Sequence, residues 1–231
     1  MDTKKIDNKL PIAWEGIPFV FIGIGLTCVF LVLDLLVLAI PLAVLTLFTI
    51  FFFRDPQRNL VNREKAVLTP ADGKIIAIEK LANGDNRSKG TAIKLSIFMS
   101  LFNSHINRIP IGGRISQLTY QPGKFFSANL DKASLYNENN MVMLETDNRE
   151  KIVLVQVAGF IARRIVCWVK AGDYVKAGQR FGLIRFGSRL EVYLPPDSAI
   201  TVQIGEKVKA GQTVIGYLHY NENEKQIKKT E

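Results

Sequence analysis

A mainly β domain of the β-sandwich or barrel-sandwich kind, preceded by an N-terminal transmembrane helical hairpin, is the fold class this sequence predicts. Three observations carry it. A long apolar run near the N-terminus holds a single charge. Behind it, short β-rich runs alternate with glycine and proline turns, and long amphipathic helical periods are scarce. Near the C-terminus one turn sequence occurs twice. The chain has 231 residues, enough for a domain with its own core plus an appendage.

Residues 1–18 form a basic N-terminal segment with Lys4, Lys5 and Lys9. Residues 19–53, "FVFIGIGLTCVFLVLDLLVLAIPLAVLTLFTIFFF", contain only Asp34 as a charge. One straight helix of this length would be about 50 Å long, against a hydrocarbon core of about 30 Å. It would also leave Asp34 near the bilayer centre, at a cost of about 2.5–3.5 kcal/mol. Two short helices with Asp34 at the turn avoid both problems, and they put Pro41 inside the second helix. Arg54, Arg58 and Arg63 follow the run. Basic residues on both flanks predict a membrane hairpin with both ends on the cytoplasmic side. The run is too long for the 7–15-residue core of a signal peptide, and no small-residue cleavage site follows it.

From residue 54 to 231 the chain reads as strands and turns: "GKIIAIEKL", "TAIKLSIFMS", "GRISQLTY", "MVMLETD", "KIVLVQVAG", "ARRIVCWVK" and "EVYLP". The polar stretch 127–140 predicts a loop or short helix. "KAGDYVKAGQRFGLI" (170–184) echoes "QIGEKVKAGQTVIGY" (203–217). The shared Val-Lys-Ala-Gly-Gln predicts a tight turn between short strands and a pseudo-symmetric sandwich.

Composition narrows the function. Thirty Lys and Arg against twenty-one Asp and Glu give a net charge of +9, which points to an anionic partner. The apolar run selects a membrane surface over nucleic acid, and no aromatic-basic patch favours the latter. Two isolated cysteines, Cys28 and Cys167, and two histidines, His105 and His219, argue against a disulfide framework or a multi-histidine metal centre.

Four stretches have chemical potential. "RFGSRLEVYLP" sets Gly187-Ser188 inside what otherwise reads as a strand, where glycine weakens pairing and marks a bulge or close approach. "TPADGKI" carries Asp72 in good turn chemistry. "FNSHINRIP" carries His105 and Arg108. "GFIARRIVCWVK" carries Arg163 and Arg164, which point to opposite faces of a strand. Each alone reads more readily as ordinary turn or strand structure.

Together, "FFFRDPQR", "TPADGKI", "HINRIP", "ANLDKASLYNEN", "VAGFIARRIV" and "GQRFGLIRFGSRLEVYLP", in this order, resemble the phosphatidylserine decarboxylase proenzymes of the short, membrane-anchored type. Archaetidylserine decarboxylase is the close relative. The resemblance implies self-cleavage between Gly187 and Ser188 of the decarboxylase domain 54–231. The products are a β chain, 1–187, and an α chain, 188–231, that stay associated. Ser188 becomes a pyruvoyl group, a covalent cofactor that serves as electron sink for decarboxylation. It further implies His105 in the decarboxylation step, Asp72 in a cleavage triad, and Arg108, Arg163 and Arg164 as substrate-binding candidates. The implied partners are a phospholipid in the cell membrane and a homodimer of αβ units. Arg108 stands where long-form members have a second histidine, so the cleavage base is left between His105 and Asp72 or a water beside it. The competing reading is a membrane-tethered lipoyl- or biotinyl-like carrier, whose lysine would sit at an exposed hairpin tip.

Overall fold

In this computed structural model, the structure describes residues 2–82, 90–127, 136–159, 164–185 and 187–219. Arg163 and most of the 127–140 stretch lie outside the described residues.

The apolar run folds as α2 (Ile17–Val32) and α3 (Leu36–Phe52), after a short α1 (Thr3–Ile6). Asp34 makes the turn at φ 59°, a left-handed conformation that Asp tolerates better than bulky residues. Small residues let the helices approach: a Cβ added at Gly23 would collide with Thr46, whose hydroxyl donates to the Leu42 carbonyl at 2.8 Å. This is the packing chemistry of helices in lipid. Most of the outer side chains, including Phe21, Val32, Val37 and Leu47, are exposed.

The hairpin therefore forms, but the expected transmembrane crossing is corrected. The helices have 16 and 17 residues, about 24 and 26 Å at ~1.5 Å per residue, short of a ~30 Å core. Among the described residues no helix is long and apolar enough to cross a membrane. The early turn at Asp34 divides the run into two pieces that are each too short.

The remainder is mainly β. In chain order the strands are β1 (Ala66–Leu68), β2 (Gly73–Leu81), β3 (Ala92–Met99), β4 (Ile106–Arg108), β5 (Gly113–Gln121) and β6 (Asn139–Glu145). They continue as β7 (Lys151–Val157), β8 (Ile165–Cys167), β9 (Tyr174–Val175) and β10 (Arg180–Ile184). The last four are β11 (Ser188–Leu194), β12 (Ala199–Ile200), β13 (Lys207–Val208) and β14 (Val214–Tyr217). An eight-stranded antiparallel sheet of order β13-β2-β3-β11-β7-β6-β5-β9 curls into a half-barrel. Two three-stranded sheets, β1-β14-β12 and β4-β10-β8, accompany it.

This order is a duplication. Outward from the central pair β11 and β7, the sheet reads β3, β2, β13 on one side and β6, β5, β9 on the other. The small sheets match strand for strand. Hydrogen bonds repeat: Gly205 N–H donates to Ile75 O at 2.8 Å, and Gly172 N–H to Ile115 O at 2.7 Å. Register shifts recur at Ile75/Ala77 and Ile115/Gln117. The halves clasp reciprocally, Leu68 N–H to Pro110 O at 2.9 Å and Arg108 N–H to Pro70 O at 2.8 Å. The second unit, β4 to β10, is inserted between β3 and β11 of the first.

One apolar cluster fills the interior, with Ile75, Leu95, Ile97, Leu154, Phe181, Leu190 and Val192 buried. It extends to Phe52 and Phe53 at the foot of the hairpin. Asp55, just beyond, is buried and fixes the hairpin to the domain. It accepts from Arg180 Nε at 2.9 Å and from Asn8 Nδ2 at 3.1 Å, with Arg108 Nη2 at 3.5 Å. A buried carboxylate needs such partners to remain charged.

Candidate active site

Gly187 and Ser188 occupy the junction where the inserted unit returns to the first. Gly187 has φ +63°, and a Cβ there would meet nothing within 4 Å. The constraint is thus backbone conformation rather than space, which favours glycine. Ser188 opens β11, the central strand, all seven residues of which are buried. Alternation places Ser188 on the face of Leu190 and Val192, toward the main core. Its Oγ lies 4.0 Å from Sδ of Met99, its cross-strand partner.

His105 lies at the same end of the sheet. Ile184, four residues before Ser188, donates its N–H to the His105 carbonyl at 3.4 Å. The imidazole is fully buried. Its Nδ1 is 3.0 Å from the Asn103 carbonyl, so Nδ1 carries the hydrogen and donates it. Nε2 then holds the lone pair, buried and without a hydrogen-bond partner. Burial lowers the pKa from 6.5 to about 4, against a smaller opposing effect of the Asn103 carbonyl. At neutral pH this is a neutral imidazole with an unused acceptor.

Asp72 sits at the head of β2. Its carboxylate accepts from Arg58 Nη2 at 2.5 Å and from the Ala210 N–H at 2.8 Å. It precedes β2 by one residue, and β3 separates β2 from β11. Two strand spacings put its backbone about 10 Å from that of Ser188. Its two bonds tie it to the segment behind the hairpin and to the second Lys-Ala-Gly turn.

Arg108 is a clamp inside the fold. It donates to the carbonyls of Gly178 at 3.0 Å and Pro56 at 3.1 Å. Burial, then the nearby Arg180 charge, lowers its pKa to about 10. Arg164 is exposed at the edge of β8, and its carbonyl accepts the Arg185 N–H at 3.2 Å.

Sequence reasoning missed a buried amide chain beside Ser188. Asn140 Nδ2 donates to Gln156 Oε1 at 2.9 Å, and Gln156 Nε2 donates to Asn107 Oδ1 at 2.8 Å. Asn107 Nδ2 then reaches Met99 Sδ at 3.6 Å. The sulfur that touches Ser188 is therefore held by three buried amides. A signal was available: Gln156 is a lone polar residue in the apolar run "KIVLVQVAG".

The fold and site define a mainly β enzyme core with a buried serine after a left-handed glycine and, at the same sheet end, an imidazole whose Nε2 has no hydrogen-bond partner. The chain belongs to the phosphatidylserine decarboxylase family, whose sequence model matches residues 45–216. It is similar to proteins named phosphatidylserine decarboxylase proenzyme from three bacteria. The one from Desulfotalea psychrophila is 47% identical over 213 residues, 92% of this chain and 99% of that one. That from Syntrophus aciditrophicus is 49% identical, covering 89% of this chain and 96% of its own. That from Geotalea uraniireducens is 49% identical, covering 92% and 99%.

Proposed function

We propose that this chain is a proenzyme that cleaves itself between Gly187 and Ser188 and then decarboxylates phosphatidylserine to phosphatidylethanolamine and carbon dioxide. Family membership supports the reaction. The observation that carries the cleavage is the Gly187–Ser188 junction: a left-handed glycine delivering a buried hydroxyl to the start of the central strand.

In this reading the Ser188 hydroxyl attacks the Gly187 carbonyl carbon, its proton passes to a base, and the acyl group moves from nitrogen to oxygen. Elimination across Cα–Cβ of Ser188 releases the Gly187 carboxylate. Hydrolysis of the remaining dehydroalanine, with loss of ammonia, leaves the pyruvoyl group. His105 Nε2 is the acceptor assigned here because it is buried with no hydrogen-bond partner, whereas each Asp72 oxygen already accepts a hydrogen bond. Asp72 and Arg58 position the turns rather than move the proton.

The surroundings of residue 188 fit a pyruvoyl group. They are buried, with the Met99 sulfur backed by three amides, and His105 offers a buried Nε2 with no hydrogen-bond partner. Such a group supplies a ketone for the substrate amine and a sink for the electron pair left by departing carbon dioxide. His105 takes a proton from the serine ammonium on binding and returns it to the carbon that has lost carbon dioxide. The buried setting disfavours the substrate carboxylate relative to neutral carbon dioxide.

The hairpin suits a lipid substrate. Both its ends return to one side, the cytoplasmic one by their basic flanks, and its exposed side chains, apolar all round both helices, are those a bilayer accepts. The carrier reading finds less support. The two Lys-Ala-Gly turns pack together on Leu60, against Gly178 and Gly211, rather than standing free.

The test is a denaturing gel with mass spectrometry. The parent is expected to run as 1–187 and a blocked 188–231, and to release carbon dioxide from phosphatidylserine. Ser188→Ala is expected to remain one inactive chain; cleavage or turnover by that variant overturns the reading.

A further inference from the structure

Arg185, two residues before Gly187, takes no part in the proton transfers of that reaction. Its main chain is tied to β8 through the Arg164 carbonyl. Its guanidinium carbon lies 5.5 Å from the ring centre of Phe19, at the start of α2. Its Nε is buried without a hydrogen-bond partner. The neighbouring charges do not balance. Arg164 lies close enough to disfavour the Arg185 charge, and Glu15 favours it. One Glu15 oxygen is already engaged by Lys5 Nζ at 2.9 Å and Trp168 Nε1 at 3.1 Å; the other is buried without a hydrogen-bond partner. Asp2 also pairs with Lys5, at 3.7 Å, so Lys5, Arg164 and Arg185 stand against Glu15 and Asp2, one positive charge more than the carboxylates offset, which an anion would neutralise.

The position says which anion. Arg185 is three residues from Ser188, at most ~11 Å of extended chain. It also touches the hairpin foot, where lipid phosphates would lie. In a phosphatidylserine headgroup the phosphorus is four bonds from the amine that reacts. We infer that Arg185, assisted by Arg164, holds the phosphodiester of the substrate headgroup while its serine end reaches residue 188. This rests on the decarboxylase reading. The phosphate suits it better than the serine carboxylate. A guanidinium on the carboxylate would stabilise the charge that must be lost as carbon dioxide. One on the phosphate binds substrate and transition state alike. Guanidinium forks match phosphate oxygens.

The experiment compares the parent with Arg185→Gln, Arg185→Lys and Arg164→Gln. A gel first reports self-cleavage. Calorimetry with glycerophosphoethanolamine, which has the phosphodiester but no carboxylate, reads binding whether or not the chain has matured. Kinetics on phosphatidylserine in detergent micelles read KM and kcat. Arg185→Gln is expected to weaken glycerophosphoethanolamine binding about tenfold or more and to raise KM with kcat little changed. Arg185→Lys is expected to restore part of the affinity, and Arg164→Gln to show a smaller loss. Unchanged affinity in Arg185→Gln, or no binding by the parent, overturns the inference. So does a loss seen with glycerophosphoserine alone, which assigns the guanidinium to the carboxylate. A parent that binds glycerophosphoethanolamine through Arg185 but releases no carbon dioxide sinks the decarboxylase reading and leaves the anion site standing.

Discussion

The ring of Phe52, the last residue of α3, lies 4.3 Å from the imidazole of His105, tilted by 36°. The foot of the hairpin is thus one wall of the candidate site. Phe52 also meets Phe53 edge-on at 5.1 Å, and Phe53 stacks on Phe19 at 6.0 Å. An aromatic row leads from His105 to the ring beside Arg185. Phe52 contributes to the dryness that keeps His105 neutral. Phe52→Ala is expected to cost about 3–5 kcal/mol of stability. Phe52→Leu should fold with a smaller loss and move the His105 pKa up from about 4 toward 6.5. Titration of the His105 imidazole by NMR, with His219 removed, reads it; an unmoved pKa removes Phe52 as the cause.

That lowered pKa has a sign. The unfolded chain binds a proton at His105 near 6.5, the folded chain only near 4. Between those values the unfolded state holds more protons, so stability rises with pH across the window. The contribution is full above 6.5 and is lost as pH falls through about 4. It amounts to about 3 kcal/mol over the window. Urea unfolding at pH 7 and pH 4.5 is expected to show a larger acid loss for Ser188→Ala than for Ser188→Ala/His105→Gln, both of which stay uncut. Equal losses place the acid sensitivity in other groups.

The acid limb of the decarboxylation profile depends on the same group. A free histidine would switch the enzyme off near pH 6.5. Here half-maximal kcat/KM is expected between pH 4 and 5 if the His105 ring must be neutral to accept a proton. A limb at 6 or above points to a different base.

Much of this fold was legible because it is local. The strands follow from β-branched alternation, and the turn at Asp34 from the cost of burying a charge. The echo 170–184 with 203–217 revealed β9, β10, β13 and β14 as paired copies. The rest of the duplication was hidden. "TPADG" and "IPIGG" share only Pro and Gly, and their equivalence lies in backbone hydrogen bonds that many sequences can make. Ser188 and His105 were legible as motif residues. The two-strand spacing between the backbones of Asp72 and Ser188 was not, because it depends on β3 lying between β2 and β11, a long-range pairing. The Gln156–Asn107–Met99 contact joins residues from β7, β4 and β3 for the same reason. The membrane expectation went too far because the two pieces on either side of the foreseen Asp34 turn form helices of only 16 and 17 residues.

Gly187 should act through its backbone. Its φ of +63° costs an L-residue about 1–2 kcal/mol, while the space beside it is open. Gly187→Ala is therefore expected to fold and still cleave, but about tenfold or more slowly, because part of the population leaves the left-handed conformation. Gly187→Val should be slower still, its branched side chain being less tolerant of that region. A gel time course after synthesis reads both. Cleavage of Gly187→Val at the parent rate would mean the left-handed geometry does not matter to the acyl shift.

The topology also predicts the fate of the two pieces after the cut. The bond joins Gly187, in the connection from β10, to Ser188, the first residue of β11. The piece 188–231 supplies β11 to β14. Of these, β11 pairs with β3 over seven residues and with β7 over five, β13 pairs with β2, and β14 pairs with β1. Removing it would take the middle strand from the large sheet and expose Leu190, Val192 and Leu194, all buried. Burying these three contributes several kcal/mol, at about 1.5–3 kcal/mol each, before any of the backbone bonds are counted. The two pieces are thus expected to elute together from a sizing column in mild detergent at micromolar dilution. They should part only in denaturant, at the concentration where the β signal in circular dichroism is lost. Because the inserted unit, β4 to β8 with β9 and β10, lies wholly within 1–187, that piece alone should keep partial β structure after separation. Release of 188–231 under native conditions, with the remaining β signal unchanged, would contradict the pairing of β11 at the centre of the sheet.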